Sequence, residues 1–153
     1  MAARLALSRT LRWFCAALLL AGALLGSLHA DWDFSLISRR ATALYGPLGE
    51  GQPRIDAWQH LLATQKQVPE REQLKVVNLF FNKNMRYVED IDLWHQVDYW
   101  ETPIEALWKG AGDCEDYAIA KYFSLRHLGV SSDKLRITYV KALRQNRAHM
   151  VLT

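Results

Sequence analysis

Asp113-Cys114-Glu115-Asp116 sets one thiol among three carboxylates, directly after Gly110-Ala111-Gly112. A thiol attacks a carbonyl only as the thiolate, and a helix N-terminus lowers its pKa. Cys114 to Leu128 reads as a helix. Cys114, Ala118, Tyr122, Leu125 and Leu128 fall on one stripe, which Ile119 and Phe123 widen. Cys114 therefore stands at the predicted helix start. First-turn N–H groups, its own included, lack intrahelical partners and can face an oxyanion. Gly110 and Gly112 are expected to leave the backbone open for close approach of a substrate. This pattern suggests acyl transfer through a cysteine nucleophile. The plainer reading is a buried, inert cysteine acting as a small hydrophobe.

A cysteine nucleophile needs a histidine base, itself oriented by a third group. After residue 30 the chain offers His60, His95, His127 and His149. His60 falls on a predicted surface helix and His95 in an aromatic loop. His127 shares the Cys114 helix but stands about 20 Å along it at 1.5 Å per residue. His149 opens a strand after a helix–strand–turn unit, which can return it to the start of the Cys114 helix. It is the best candidate base; the alternative is a half-buried strand histidine.

Asp113, Glu115 and Asp116 suit a helix start, with Asp113 as N-cap and Asp116 favouring the dipole. Three negative charges nevertheless raise a thiol's pKa and oppose its activation. A bound cation resolves that conflict, and clustered carboxylate oxygens suit calcium. The three are therefore candidate Ca²⁺ ligands beside the nucleophile.

Other elements must position these groups. Trp32 to Tyr45 reads as a short helix, with Leu36 or Ile37, Ala41 and Leu44 inward. Gly46 to Gly51 is turn composition. Pro53 to Gln67 forms a second helix on Ile55, Trp58, Leu61 and Leu62. Pro69 opens a third, with Leu74, Val77, Phe80 and Phe81 as its stripe, ending at Asn82-Lys83-Asn84. Arg86 to Val88 is a short extended piece. Glu89 to Trp108 reads as loop, with one helical turn at Thr102-Pro103-Ile104-Glu105, a capping box with proline at its first position. Its Trp94, Tyr99, Trp100 and Trp108 either pack the loop down or wall a substrate cleft. Gly129 ends the Cys114 helix. Leu135 to Ala142 and Ala148 to Thr153 are strands, with His149, Val151 and Thr153 on one face.

The 153 residues, half of them hydrophobic, fit at most one domain. Arg4, Arg9 and Arg12 precede the uncharged run Trp13 to Leu25, and small residues follow it before Asp31. That is the pattern of a secretory signal peptide over residues 1–30, with a domain over 31–153. An uncleaved anchor is the alternative, although the run falls short of the roughly 20 residues that span a bilayer. The net charge is +3, and residues 1–30 hold three arginines and no acid, so the remainder is formally neutral. No basic stripe points to nucleic acid. Cys15 falls in the signal, which leaves Cys114 as the lone thiol of an exported domain, a sign of reactivity or of an intermolecular disulfide.

The segment from Trp108 to Tyr122 (WKGAGDCEDYAIAKY), then Leu128-Gly129-Val130 and Arg147 to Leu152 (RAHMVL), resembles the bacterial transglutaminase-like cysteine proteinases. The resemblance implies a papain-like, transglutaminase-like α+β fold. A helical N-terminal part and a nucleophile-bearing helix pack on an antiparallel sheet. Cys114 matches the nucleophile, His149 the base, and Asp113, Glu115 and Asp116 the calcium-associated acids. It further implies a calcium-dependent periplasmic endopeptidase that cleaves a large cell-surface adhesin in its N-terminal region and so controls biofilm release. The implied partner is the periplasmic domain of an inner-membrane cyclic-di-GMP receptor. Transglutaminase-type acyl transfer and a non-catalytic binding module are the alternatives. The family's third group is an aspartate on a strand after the histidine. Only four residues follow His149 and none is acidic, so a C-terminally truncated domain is expected.

Overall fold

Apolar positions three and four apart build the first half of the domain as helices α1 (Phe34–Tyr45), α2 (Gly51–Thr64) and α3 (Glu70–Asn84). The computed structural model describes residues 32–144 and 146–153. The expected signal segment and Cys15 lie outside the described residues. α2 buries Ile55, Trp58 and Leu62, and α3 buries Gln73, Val77 and Phe81, each one turn from the next. Two inward positions differ from expectation. Leu74 of α3 is 41 % exposed, and Gln73 goes inside in its place. The Gln73 Nε2 donates to the Gln65 carbonyl at 2.9 Å and reaches that of Leu128 at 3.4 Å, so a buried polar side chain satisfies helix-end acceptors. Leu44 of α1 is exposed, while Phe34 is buried edge-on against Trp58.

β1 (Arg86–Tyr87) pairs in parallel with β2 (Ala111–Gly112). The stretch between them is more ordered than a loop. It contains one turn of helix, α4 (Asp90–Leu93), and then α5 (Pro103–Lys109), longer than the single turn expected. The capping box at its start is present: the Thr102 hydroxyl accepts from the Glu105 N–H, and the Glu105 carboxylate accepts from the Thr102 N–H. At its other end, the Arg54 guanidinium donates to the carbonyls of Leu107 (2.6 Å) and Trp108 (2.8 Å). A cation there satisfies the orphan acceptors of the last turn.

α6 (Cys114–His127) packs against α3, α5 and the hairpin of β3 (Ile137–Ala142) and β4 (Arg147–Leu152). Val140 lies opposite His149 in that antiparallel pair. The α+β class is as expected, with the cysteine helix set against antiparallel strands. The buried side of α6 is narrower than its sequence suggests: Phe123 is exposed, and Ala118, Ala120, Ser124 and Leu125 face inward. Ser124 shows why. Its hydroxyl accepts from the Trp58 indole at 2.8 Å and donates to the Ala120 carbonyl at 2.7 Å, with no exposed surface. The Trp58 ring of α2 reaches α6 here, and a hydroxyl satisfies its indole at the contact. Ser124→Ala removes the hydroxyl that accepts from the buried indole N–H, and is expected to lower the unfolding free energy in urea by about 1–3 kcal/mol. An unchanged midpoint would show that the contact carries no such cost.

Candidate active site

The turn ahead of Cys114 is fixed from below. Gly110 takes a left-handed φ of 64°, which ends α5. A Cβ there would stand 2.7 Å from the Arg54 guanidinium carbon. A Cβ on Gly112 would stand 2.8 Å from an Asp116 carboxylate oxygen. The space beside both glycines is thus filled by the protein itself. This corrects the expectation that they clear a path for substrate: they allow close internal packing. β1 holds the same turn, the N–H groups of Arg86 and Val88 donating to the carbonyls of Gly110 and Gly112.

Asp116 is 1 % exposed, and both its oxygens are engaged. Oδ1 accepts from the Glu101 N–H at 2.8 Å and Oδ2 from the Asp113 N–H at 3.0 Å. It caps the helix and pins the preceding loop. Burial pushes its carboxyl up to about 6, against the pull of those two N–H groups. Asp113 is pushed up to about 8, by burial first and then by the hydrogen bond and charge of Glu115. Glu115 goes the other way: burial would raise it, but hydrogen bonds from Asp113 and Cys114 outweigh that. Glu101 is 2 % exposed and pushed up to about 8 by burial and the charge of Asp116.

Two further acids complete the cluster. Asp90 on α4 and Asp98 in the following loop bring carboxylate oxygens to the same place. Asp90, Asp98 and Glu115 form one group that could hold a cation, and Asp90, Asp113 and Asp116 another, with ligand atoms within 4.8 Å of one another in each. Asp113, Cys114 and Glu115 make a third. The expected trio Asp113, Glu115 and Asp116 is therefore split between groups, and Asp90 joins them. Asp90 Oδ1 and Asp113 Oδ1 are buried without a hydrogen-bond partner. Oxygen-only donors, two of them buried and unpaired, fit a hard cation such as calcium.

Cys114 and His149 line one cleft of about 860 Å³ between α3, α6 and β4. His60, His95 and His127 do not line it. Nor do Trp94, Tyr99, Trp100 and Trp108, so the aromatic loop is not the cleft wall; Tyr87 and Tyr117 are the aromatics there. Trp94 and Tyr99 pack together at 4.6 Å, and Trp108 stacks on Tyr45. The Cys114 Sγ donates to Glu115 Oε2 at 3.0 Å rather than to His149. Burial and then that bond push the thiol up to about 12, although the Met150 N–H of β4 draws it down.

The family model for bacterial transglutaminase-like cysteine proteinases (BTLCP) matches residues 53–153. The chain belongs to this family. No sequence among the curated proteins compared matches it. Among solved structures, LapG of Legionella pneumophila superposes with a TM-score of 0.66 at 42% identity, over 79% of this chain and 65% of that one. Its calcium-bound form gives 0.65 at the same identity and coverage. Its EGTA-treated form gives 0.65, over 79% of this chain and 63% of that one. The chain thus spans about two thirds of the length of the proteinase structures it matches. Among the described residues, no carboxylate hydrogen-bonds to His149. Asp90 and Asp98 are site residues that sequence reasoning missed; their only signal was an excess of acids in an apparent loop.

Three outcomes follow from this geometry. In chelator, Cys114 stays a thiol at neutral pH, so its alkylation by iodoacetamide is negligible at pH 7–8 and rises only in strong alkali. Glu115→Gln removes the acceptor and the charge that hold the proton, and moves the rate-versus-pH curve to lower pH. An unmoved curve would refute the role of Glu115. Gly112→Ala drives a methyl into the Asp116 carboxylate and is expected to cost about 1–3 kcal/mol in a denaturant melt, the range for overpacking.

Proposed function

We propose that this chain carries the cysteine–histidine machinery of a calcium-dependent periplasmic cysteine endopeptidase. One observation carries the reading: Cys114, at the start of a 14-residue helix, and His149, on β4, line one cleft, and the cysteine stands in a carboxylate cluster that fits a cation. Similarity to LapG in a calcium-bound form supports the choice of metal.

The steps use this chain's own groups. The Cys114 thiol gives its proton to the His149 imidazole, and the sulfur attacks the scissile carbonyl. The Cys114 N–H, at the first helical position, is free to donate to the oxyanion. The imidazolium returns the proton to the departing amine, leaving a thioester on Cys114. Water activated by His149 then cleaves the thioester and restores the thiol. A cation held by Asp90, Asp98, Asp113 and Glu115 would supply positive charge beside the sulfur and reverse the acids' effect on its pKa.

The proposed substrate is the N-terminal region of a large surface adhesin, whose release disperses biofilm. The proposed partner is the periplasmic domain of an inner-membrane cyclic-di-GMP receptor. The signal pattern in residues 1–30 supports that compartment. Among the described residues, no helix is long and apolar enough to cross a membrane.

The test is thiol alkylation and adhesin-fragment cleavage across a calcium titration. Calcium is expected to raise both, Cys114→Ser to abolish both, and His149→Ala to slow alkylation by orders of magnitude. Calcium-independent rates would sink the metal's role. Incorporation of an added amine into the product would favour acyl transfer. Alkylation unaffected by either calcium or His149 would favour a binding module.

A further inference from the structure

β4 carries the proposed base, and its first residue is tied to the stretch that follows β1. Arg147, its first residue, reaches 58 positions back to form an ion pair with the Glu89 carboxylate. Its Nη2 donates to the Tyr87 hydroxyl at 2.8 Å, and that hydroxyl donates to Glu89 Oε1 at 3.1 Å. The guanidinium carbon lies 5.4 Å from the Tyr87 ring centroid. The three side chains close a ring of hydrogen bonds between the hairpin and the stretch that leaves β1.

That ring sits where it can set the catalytic geometry. Tyr87 is paired in register with Gly112, two residues before Cys114, and lines the cleft with Cys114 and His149. Residues two apart on a strand share a face and lie about 7 Å apart. Arg147 and His149 are so related. Anchoring the first fixes the position of the second along the strand axis. The segment that leads into the hairpin is tied as well: Lys134, three residues before β3, donates to both Glu70 oxygens at 3.0 and 2.8 Å.

We propose that Tyr87, Glu89 and Arg147 form a positioning clamp that holds His149 in register with Cys114. The proposal rests on the cysteine–histidine reading above. An exposed ion pair contributes little to stability, so the clamp acts on the rate more than on the fold.

Charge and position can be separated by sign. Arg147 carries a positive charge and Glu89 a negative one. A purely electrostatic effect makes Arg147→Met slow the thiol and Glu89→Gln speed it. A positioning effect makes both slow it, and Tyr87→Phe as well, although that change alters no charge. The measurement is the second-order rate of Cys114 alkylation by iodoacetamide in calcium buffer at one pH, with melting temperature in parallel. Each of the three variants is expected to lose about tenfold or more, since an ångström of misplacement costs on the order of 10²-fold. Arg147→Lys should fall between, and the exchange of Glu89→Arg with Arg147→Glu should recover most of the loss. Opposite signs for Glu89→Gln and Arg147→Met, or unchanged rates, overturn the clamp. His149→Ala keeps the two readings apart: if it slows alkylation while the clamp variants do not, only the clamp fails. If it has no effect, the base assignment fails and takes the clamp with it.

Discussion

The Asp116 carboxylate is the interaction on which the site depends. Its two oxygens accept one N–H from the residue before the α5 capping box and one from the residue before the cysteine. One buried anion thus joins the loop, the helix and the turn that presents the thiol. Gly112 is small because this carboxylate fills the space beside it. Gly110 is small because Arg54 does the same from the other side, while closing α5. The turn that leads to the thiol is thus packed against two charged groups of opposite sign.

That construction has an electrostatic cost. Six acids approach one another around the first turn of α6, and several are buried. Burial and mutual repulsion push Asp113 and Glu101 up to about 8 and the thiol up to about 12. Local hydrogen bonds relieve part of this: the Tyr99 N–H reaches Asp90 Oδ2 at 2.6 Å, and the Trp94 indole donates to Glu101. The Asp90 and Asp113 oxygens that no donor reaches remain. Structural ion clusters are usually neutralised by arginine or lysine, yet Lys109, the nearest basic side chain of α5, lies over the rings of Trp94 and Trp108 instead. Lys109 is thus engaged with aromatic rings, and the unpaired carboxylate oxygens are the ones that fit a cation.

Elements with strong periodicity or a capping signature were legible in the sequence. The Cys114 helix, the Thr102–Glu105 box and the hairpin carrying His149 all stand within a few residues of expectation. What was not legible depends on contacts between distant segments. Gln73 replaces Leu74 inside because two helix ends present unpaired carbonyls there, which no local pattern announces. Phe123 faces out while its neighbour Ser124 faces in to give Trp58 a hydroxyl. Asp90 and Asp98 fall in a segment whose sequence reads as loop, since the fold that returns them to Glu115 is set by β1–β2 pairing across some twenty-five residues. The glycines were read as openings because their neighbours in space, Arg54 and Asp116, are invisible to spacing.

The partner of the thiol matters most for how the site works. The geometry pairs Cys114 with Glu115 and leaves His149 across the same cleft. A carboxylate is too weak a base to take a thiol's proton, so Glu115 holds it as a hydrogen bond without accepting it. Glu115 also offers a ligand atom within 4.8 Å of those of Asp90 and Asp98, so one side chain faces both the thiol and the place a cation would take. Under the proposed function, a cation there would offset the Glu115 charge and loosen its hold on the proton, leaving the thiol to the imidazole.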